Sequence, residues 1–250
     1  MRTFARRIAL CALICLTTSC NKPPRPSTAT ATKPFVPPDP SMAASVMGRV
    51  TFAGNPPTPQ RIDMSQDPAC EAQSAFDESV VVTDGDLANV FVYVKDGLTD
   101  RSFTPPPSPA IIEQKDCRYQ PHVLGVMVGQ PIHIVNDDNT SHNIHPMPKE
   151  SRQWNESQLP QAAPIEKRFD HPEIMIPIQC NQHPWMHMYL NVVSNPFFAT
   201  TDAKGQFSIT GLPPGTYTVA AIHEKLGEQD MKITVGPKES KTANLTFKTN

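Results

Sequence analysis

The order of apolar and polar residues along the chain is typical of short β-strands. Residues 46–52 place Val, Gly, Val and Phe at every second position, which is the spacing of side chains on one face of a strand. Further apolar segments at residues 90–94, 123–128 and 132–135 are followed by turn-forming residues such as Gly and Asn. The pattern therefore predicts an all-β protein without long helices.

Composition agrees with this pattern. The 250 residues include 28 prolines and 11 glycines, and proline at about twice its usual share excludes a coiled coil. Apolar residues make up 38% of the chain and the formal net charge is −2. An apolar fraction of this size is enough to form a core, and the absence of a basic excess argues against a nucleic-acid partner.

The first twenty residues resemble an export signal. Three arginines precede an apolar run at residues 8–16, which is too short to span a membrane, and small residues then lead to Cys20. Small residues that end at a cysteine resemble the lipobox of bacterial lipoproteins, which implies that Cys20 is lipidated. The leucine that ends the apolar run lies four residues before Cys20, where the family usually has it three before. Cleavage near residue 19 with an unmodified cysteine is the alternative.

The segment after the signal predicts an extended tether. Residues 21–43 contain seven prolines among mainly small and polar residues, a composition that favours extended, polyproline-like states. Loss of the three arginines of residues 1–20 leaves 19 basic and 24 acidic residues, so the exported chain has a net charge of −5. We expect a protein of the periplasm or cell surface, held to a membrane by its N-terminal lipid.

Cysteine usage predicts one disulfide. Two of the six cysteines lie in the signal and Cys20 is the candidate lipidation site, which leaves Cys70, Cys117 and Cys180. Three cysteines in an oxidising compartment give one pair and one remainder. Because Cys180 has two histidines and two methionines within eight residues, we expect Cys70 to pair with Cys117. Two separate buried thiols are the alternative.

The surroundings of Cys180 contain the residues of a soft metal site. Ile174, Ile176, Ile178 and Cys180 alternate with other residues, so the thiol is expected on the inward face of a strand. A turn leads to His183, and a histidine-containing segment at residues 141–145 follows a distant strand. One thiolate, two imidazoles and a weak thioether are the ligands of mononuclear copper electron-transfer sites. A closed zinc site usually requires four firm ligands, which fits less well.

Two motifs in this region resemble the cupredoxin family. The sequence VGQPIHIVN followed by SHN at residues 141–143 is similar to the plastocyanin-type segment that carries the first copper histidine. The sequence CNQH at residues 180–183 is similar to the C-x-x-H motif of that family. The resemblance covers roughly residues 80–195. It implies one copper ion with the equatorial ligands His142, Cys180 and His183, and an Asn143 that braces the ligand loops by hydrogen bonds.

The choice of axial ligand depends on which family spacing between the histidine and the methionine applies. Plastocyanin spacing, H-x4-M, selects Met188, whereas the H-x-x-M spacing of the copper domain of terminal oxidases selects Met186. The residues after Met186 continue as a strand, as in the latter, so we expect Met186 to be the axial ligand and Met188 to lie in the core beneath the site. Trp185 fits either an apolar rim around an exposed histidine edge, where a redox partner docks, or the core.

The other histidines carry no metal prediction. His145 is three residues beyond His142 and is a reserve ligand only. His187 is out of phase with the two methionines beside it, which places it at the surface, and His122 has no partner in its local sequence. His223 and the glutamate after it form half of a zinc motif, but no second histidine follows four residues later.

The C-terminal part resembles a second family. The patterns T-D-x-x-G-x-F-x-I and L-P-P-G-x-Y-x-V between residues 201 and 219 resemble the carboxypeptidase regulatory-like, transthyretin-type β-sandwich. Residues 46–52 look like the missing first strand of that module. The expected organisation is a signal (1–20), a tether (21–43), a cupredoxin-type Greek-key β-sandwich (44–195, sharing its first strand) and a smaller carboxypeptidase regulatory-like β-sandwich (196–250).

These features together predict an exported, membrane-anchored copper protein that transfers single electrons. Its partners would be a cytochrome or another copper protein, and the membrane through the lipid. Copper storage or delivery is one alternative, and surface adhesion with a structural cupredoxin domain is another. We expect no enzyme: a thiol enzyme would use Cys180 as nucleophile and His183 as base, but the strand phase buries that sulfur.

Overall fold

The computed structural model of the chain describes residues 33–37 and 39–249. The predicted signal, Cys20 and the first part of the predicted tether lie outside the described residues. The regular secondary structure of the described residues is almost entirely β, so the predicted fold class is confirmed. No helix in this part of the chain is long and apolar enough to cross a membrane.

The secondary structure consists of short strands and one helical turn. In chain order the strands are Lys33–Pro34 (β1), Ala44–Ala53 (β2), Val82–Thr83 (β3), Asp86–Leu87 (β4), Phe91–Asp96 (β5), Arg101–Ser102 (β6), Ala110–Lys115 (β7), Arg118–Gln120 (β8), Val123–Met127 (β9), Ile132–Asn136 (β10) and His142–Pro146 (β11). They continue as Glu156–Gln158 (β12), Ile165–Lys167 (β13), Glu173–Gln179 (β14), His187–Val193 (β15), Phe198–Thr200 (β16), Gln206–Leu212 (β17), Gly215–His223 (β18), Gly227–Val235 (β19), Ser240–Thr242 (β20) and Leu245–Lys248 (β21). The described helix, α1, comprises Pro68–Glu71.

The first sandwich contains both histidine and cysteine motifs. Its two sheets have the strand orders β13-β10-β7-β8 and β12-β11-β14-β15-β9. In the second sheet β11 pairs antiparallel with β14, and His145 lies opposite Gln179. Because the strands run in opposite directions, the start of β11 lies beside the residues that follow β14. This register brings His142 and Cys180 to the same end of the sheet.

The second sandwich is completed by a strand from far upstream. One of its sheets has the order β16-β5-β18-β19. In the other sheet β2 pairs antiparallel with β17 and parallel with β20 and β21. Val46, Val50 and Phe52 of β2 are buried in the same core as Phe207 and Phe247. The alternation at residues 46–52 therefore serves the core of the C-terminal strands.

Strand β5 links the two sandwiches. Val92 and Val94 belong to the core of the second sandwich, whereas Phe91 and Tyr93 belong to a smaller cluster with Val123 of β9. The period of two sends alternate side chains into different clusters. The core of the second sandwich includes residues between 44 and 98, and that of the first sandwich is formed by residues between 112 and 192. The domain limit at residue 195 stays a prediction.

Gly125 allows the two sandwiches to approach closely. A Cβ atom at this position would lie 2.4 Å from the ring of Phe91 and 2.7 Å from the ring of Phe198. A side chain would have to push at least one of these rings away. Glycine in β9 therefore fixes the separation between the sandwiches.

The described end of the predicted tether is packed against the fold. Strand β1 pairs in parallel with β6. The ring of Phe35 lies 4.7 Å from that of Phe103 and 5.8 Å from that of Phe197, measured between ring centroids. The described part of the predicted tether around Phe35 therefore packs against the second sandwich.

Candidate metal centre

The loop after β14 is shaped by two backbone hydrogen bonds. The N–H of Cys180 donates to the carbonyl of Met186 over 3.1 Å, and the N–H of Met186 donates to the carbonyl of His183 over 2.9 Å. These bonds close the chain from Cys180 to Met186 into a compact loop. Cys180 and His183 therefore lie on the same side of one turn.

Strand β14 carries a bulge that alters the predicted inward face. Ile176, Ile178 and Cys180 are buried in the core of the first sandwich, as the alternation predicts, whereas Ile174 packs against the smaller cluster between the sandwiches. The register of β14 against β15 shifts between Glu173 and Ile176, and Met175 has a positive φ of 58°. A bulge of this kind redirects the residues on one side of it.

Three donor atoms from the two motifs meet at one point. The Nδ1 atoms of His142 and His183 lie 2.8 Å apart, and the Sγ atom of Cys180 lies 3.7 Å from Nδ1 of His183. One ligand atom of each of the three residues lies within 4.8 Å of the others. The side chains are buried, with 0, 2 and 4% exposure for His142, Cys180 and His183.

Both imidazoles are held from behind by carboxylates. Nε2 of His142 lies 2.9 Å from Oδ2 of Asp138, and Nε2 of His183 lies 3.0 Å from Oδ2 of Asp67. An ionised carboxylate can only accept a hydrogen bond, so Nε2 carries the proton and the neutral ring has its lone pair at Nδ1. The carboxylates therefore turn the Nδ1 atoms into acceptors that face the sulfur.

This arrangement suits a soft cation. Two Nδ1 lone pairs and a sulfur point at one another, and only a shared proton or a metal ion can bridge them. Burial alone would raise the pKa of Cys180, yet hydrogen bonds, foremost the one between Cys180 and His142, lower it to about 6. The thiolate is the form that binds metal. A thiolate and two imidazoles fit copper, and the residues present match that ion.

The two carboxylates are themselves anchored. Oδ1 of Asp67 accepts from the N–H of Ala69 at the start of α1, and its Oδ2 accepts from the hydroxyl of Thr140. The bond from Ala69 is the main cause that lowers the pKa of Asp67. Burial would raise the pKa of Asp138, but the hydrogen bond with His142 and backbone N–H donors lower it overall. Both groups therefore stay ionised beside the histidines.

The charge of Asp138 also acts on His142. Burial alone would lower the pKa of His142, whereas the hydrogen bonds with Asp138 and Cys180 raise it, and the net direction is upward. A more basic imidazole is a stronger donor to a metal. The buried carboxylate therefore favours ligation by His142.

Asn143 joins the two ligand loops. Its Oδ1 accepts from the N–H groups of Asn181, over 2.8 Å, and Gln182, over 3.3 Å. The same oxygen lies 3.3 Å from Sγ of Cys180, and Nδ2 donates to Asn155 over 2.7 Å. The position of Asn143 corresponds to the bracing role that the resemblance implies.

A disulfide brings a covering segment over the site. The structure contains the Cys70–Cys117 disulfide that the cysteine count predicts, with Cys180 free and buried. The covering segment, residues 61–76, includes α1 and packs on Cys117 through Met64 and Ala75. It is this segment that carries Asp67 to His183.

The predicted exposed histidine edge is therefore wrong. His183 is 4% exposed because Asp67 occupies its Nε2 side. Trp185 lies beside it, with 5.1 Å between the ring centroids, and its Nε1 donates to the carbonyl of Cys117 over 3.0 Å. Trp185 is half-buried and packs against both the core and the covering segment. A packing role for Trp185 in the core therefore fits the structure better than a place in an apolar rim around an exposed histidine.

Both candidate axial methionines are buried near the site. Met186 and Met188 are 1 and 0% exposed and share the core of the first sandwich with Cys180. Met186 lies within the ligand loop, whereas Met188 lies in β15 opposite Ile178. Met186 as the axial ligand and Met188 as packing beneath the site stay predictions.

Other histidines lie in unexpected places. His187, predicted at the surface, is half-buried, and its Nδ1 lies 3.0 Å from the carbonyl oxygen of Trp185. His122 is 5% exposed and its Nε2 lies 2.5 Å from Oε1 of Glu224. His145 contacts Asn181 through Nδ1 at 3.1 Å and is outside the three-residue cluster. The contact of His122 could not be predicted from the sequence because Glu224 lies 102 residues away.

Sequence reasoning also missed Asp67 and Asp138. Asp67 precedes Pro68, a combination typical of a helix start, and the aspartate is the N-cap of α1. Asp138 lies in the polar turn after β10, four residues before His142. Their local roles are readable from the sequence, but their contacts with the imidazoles are not.

Comparison with known proteins identifies one domain of the chain. Residues 191–248 match the family model of the carboxypeptidase regulatory-like domain. The chain carries this domain. The match starts within β15, a few residues before the predicted boundary at residue 196, and confirms the resemblance of the C-terminal patterns. No curated protein matches the chain.

Parts of several solved structures align with this chain at low identity. A copper-containing nitrite reductase from Thermus scotoductus SA-01 is 19% identical over 36% of this chain, with a TM-score of 0.33. The match spans only 23% of the reductase. A purple cupredoxin from Nitrosopumilus maritimus is 23% identical over 33% of this chain and 98% of its own, with a TM-score of 0.29. Amicyanin from Paracoccus versutus is 16% identical over 40% of this chain and 96% of its own, with a TM-score of 0.31.

Proposed function

We propose that this protein is a mononuclear copper protein that transfers single electrons. The observation that carries the proposal is the convergence of Sγ of Cys180 with the Nδ1 atoms of His142 and His183 in the buried interior of the first sandwich. Copper, when bound, would supply the one-electron couple between Cu(I) and Cu(II). The chain supplies soft ligands, fixed geometry and exclusion of water.

The rigidity of the ligands favours electron transfer over copper delivery. Asp138 and Asp67 fix the two imidazoles, and Asn143 fixes the loop after Cys180. A site held in this way requires little rearrangement when the charge of the ion changes, which keeps electron transfer fast. Delivery requires ligands that an acceptor can reach, whereas all three side chains here are at most 4% exposed.

We place the protein outside the cytoplasm. The Cys70–Cys117 disulfide supports an oxidising compartment. The proposed location is the periplasm or the cell surface, with Cys20 lipidated and inserted in a membrane. The proposed partner is a cytochrome or another copper protein that exchanges one electron at a time.

A copper titration tests the proposal. One equivalent of Cu(II) added to the full, tag-free chain is expected to give an intense thiolate-to-copper visible band and the EPR signal of a single Cu(II) ion. Cys180→Ser is expected to abolish the band, and His145→Gln, a control on the same strand as His142, is expected to keep it. A full chain without the band, or a band that survives in Cys180→Ser, would contradict the site.

Electrochemistry distinguishes an electron carrier from a protein that stores or delivers copper. A carrier shows a reversible one-electron wave and rapid exchange with a cytochrome. Rapid loss of copper to a chelator, without a reversible wave, would favour delivery instead.

Neutralising either carboxylate is expected to weaken copper binding. Asp138→Asn and Asp67→Asn each remove the charge that holds an Nε2–H group, and loss of such outer partners costs about 10- to 100-fold in affinity. Asp137→Asn changes the adjacent carboxylate of the same turn and is expected to leave the affinity unchanged. Competition with a copper chelator measures all three. Equal affinities for Asp137→Asn and Asp138→Asn would show that the Asp138 contact contributes nothing.

A further inference from the structure

A second group of potential metal ligands lies apart from the copper site. His122 immediately precedes β9, His187 opens β15 and Glu224 follows β18. One ligand atom from each of them lies within 4.8 Å of the other two. The group shares no residue with His142, Cys180 and His183. A metal site here can therefore be tested independently of the copper site.

The imidazole of His187 is oriented for binding. Its Nδ1 lies 3.0 Å from the carbonyl oxygen of Trp185. A carbonyl accepts only, so Nδ1 carries the proton and the lone pair is at Nε2. Metal-binding histidines commonly donate their other ring N–H to a carbonyl or carboxylate in this way. The ring of His122 stands 5.3 Å away at 81° to it, measured between centroids.

Glu224 brings a buried carboxylate with one oxygen unpaired. Its side chain is 3% exposed, and Oε1 lies 2.5 Å from Nε2 of His122. Among the described residues no hydrogen bond to the buried Oε2 is found, although burial and the neighbouring Glu224 raise the pKa of the Tyr189 hydroxyl. The nearest cation, Nζ of Lys225, lies 3.7 Å away on a side chain that is 55% exposed. Burying a carboxylate oxygen without a partner is costly, and a cation bound beside it would remove that cost.

A simple histidine–glutamate pair elsewhere in the chain shows the contrast. His133 and Glu166 lie on β10 and β13, with 3.1 Å between Nε2 and Oε2. The second oxygen of Glu166 accepts from Arg168 over 3.0 Å, and both side chains are partly exposed. That pair is satisfied without a third ligand. The pair of His122 and Glu224 has an unpaired oxygen and an oriented third ligand.

We propose that His122, His187 and Glu224 form a second metal site that takes a divalent transition-metal ion. Two imidazole nitrogens and a carboxylate oxygen are borderline to hard ligands, which suit Zn²⁺ and similar divalent ions rather than Cu(I). Three protein ligands leave at least one coordination position for water or a small ligand. Because Glu224 comes from the second sandwich and both histidines from the first, the ion would join the two.

Zinc titration of a chain without the copper site tests this proposal. In Cys180→Ser/His183→Gln the first site has lost its thiolate and one imidazole. Calorimetry with Zn²⁺ alone is expected to show one bound equivalent in this variant. Adding Glu224→Gln or His187→Gln is expected to weaken that binding by at least about 100-fold. Adding His133→Gln, the matched control, is expected to leave it unchanged.

A second measurement covers the case in which a multiple variant fails to fold. Co²⁺ added to the otherwise unchanged chain is expected to broaden the imidazole NMR signals of His122 and His187, and Glu224→Gln is expected to abolish this effect. Failure of the copper site removes the thiolate band but leaves these results intact. Absence of Zn²⁺ binding in the folded Cys180→Ser/His183→Gln chain, or binding indifferent to Glu224→Gln and His187→Gln, would overturn the proposal. If no multiple variant folds, His122 and His187 signals that Co²⁺ does not broaden would overturn the proposal.

Discussion

Asn143→Ala is expected to lower the free energy of unfolding of the metal-free chain by about 2 kcal/mol. The amide oxygen accepts from the N–H groups of Asn181 and Gln182. Alanine leaves both donors without this acceptor in a partly buried loop, and each unsatisfied group costs about 1–3 kcal/mol. Because the loop also carries Cys180, the loss of stability is expected to be accompanied by weaker copper binding.

Asn155→Ala is the matched control for this prediction. Asn155 is exposed, and its Oδ1 accepts a hydrogen bond from Nδ2 of Asn143 over 2.7 Å. Its removal is expected to cost less than about 1 kcal/mol. Urea unfolding in the presence of a chelator measures both variants, and copper competition measures the site. If Asn143→Ala destabilises the chain no more than Asn155→Ala does, the bracing role of the amide oxygen is refuted.

The parts of the site that could be predicted are those encoded locally. Cys180 and His183 lie within one turn, so their approach needs only the loop that follows β14. His142 lies 41 residues from His183, and its place was expected from motif resemblance rather than from periodicity. The buried phase of Cys180 follows from alternation with Ile176 and Ile178.

The contacts that could not be predicted span long sequence distances. Asp67 lies 116 residues from His183, and Glu224 lies 102 residues from His122. Aspartate at a helix start and glutamate after a strand are ordinary residues whose local roles are already complete. Only the docking of whole elements, through a disulfide or through two packed sandwiches, gives them partners.

The partners of the upstream strands could be predicted only in part: resemblance, not alternation, indicated that residues 46–52 belong to the C-terminal sheet, in which β2 pairs with β17. Alternation predicted strands at residues 46–52 and 90–94, but it cannot state which sheet receives them. β2 pairs with β17, more than 150 residues later, and β5 faces two clusters at once. Pairing partners depend on long-range packing, whereas the period of two depends only on the strand itself.

Removal of the disulfide is expected to reduce stability by about 4 kcal/mol. The bond closes a loop of 47 residues, and a cross-link of this span restricts the unfolded chain by that amount in the loop-entropy account. Both sulfurs are buried with Met64 and Ala75, so Cys70→Ala/Cys117→Ala also loses packing there. Urea unfolding of this double variant, with Cys180→Ala as the control that keeps the disulfide, measures the effect.

The same double variant is expected to loosen the site from one side only. The covering segment carries Asp67 to Nε2 of His183, whereas Asp138 reaches His142 through its own turn. Loss of the cross-link is therefore expected to weaken copper binding by about tenfold. Adding Asp67→Asn to this double variant is expected to weaken copper binding little further. Asp138→Asn is expected to keep its full effect in the same background. An unchanged affinity, or an Asp67→Asn effect as large as in the intact chain, would show that the covering segment holds its position without the disulfide.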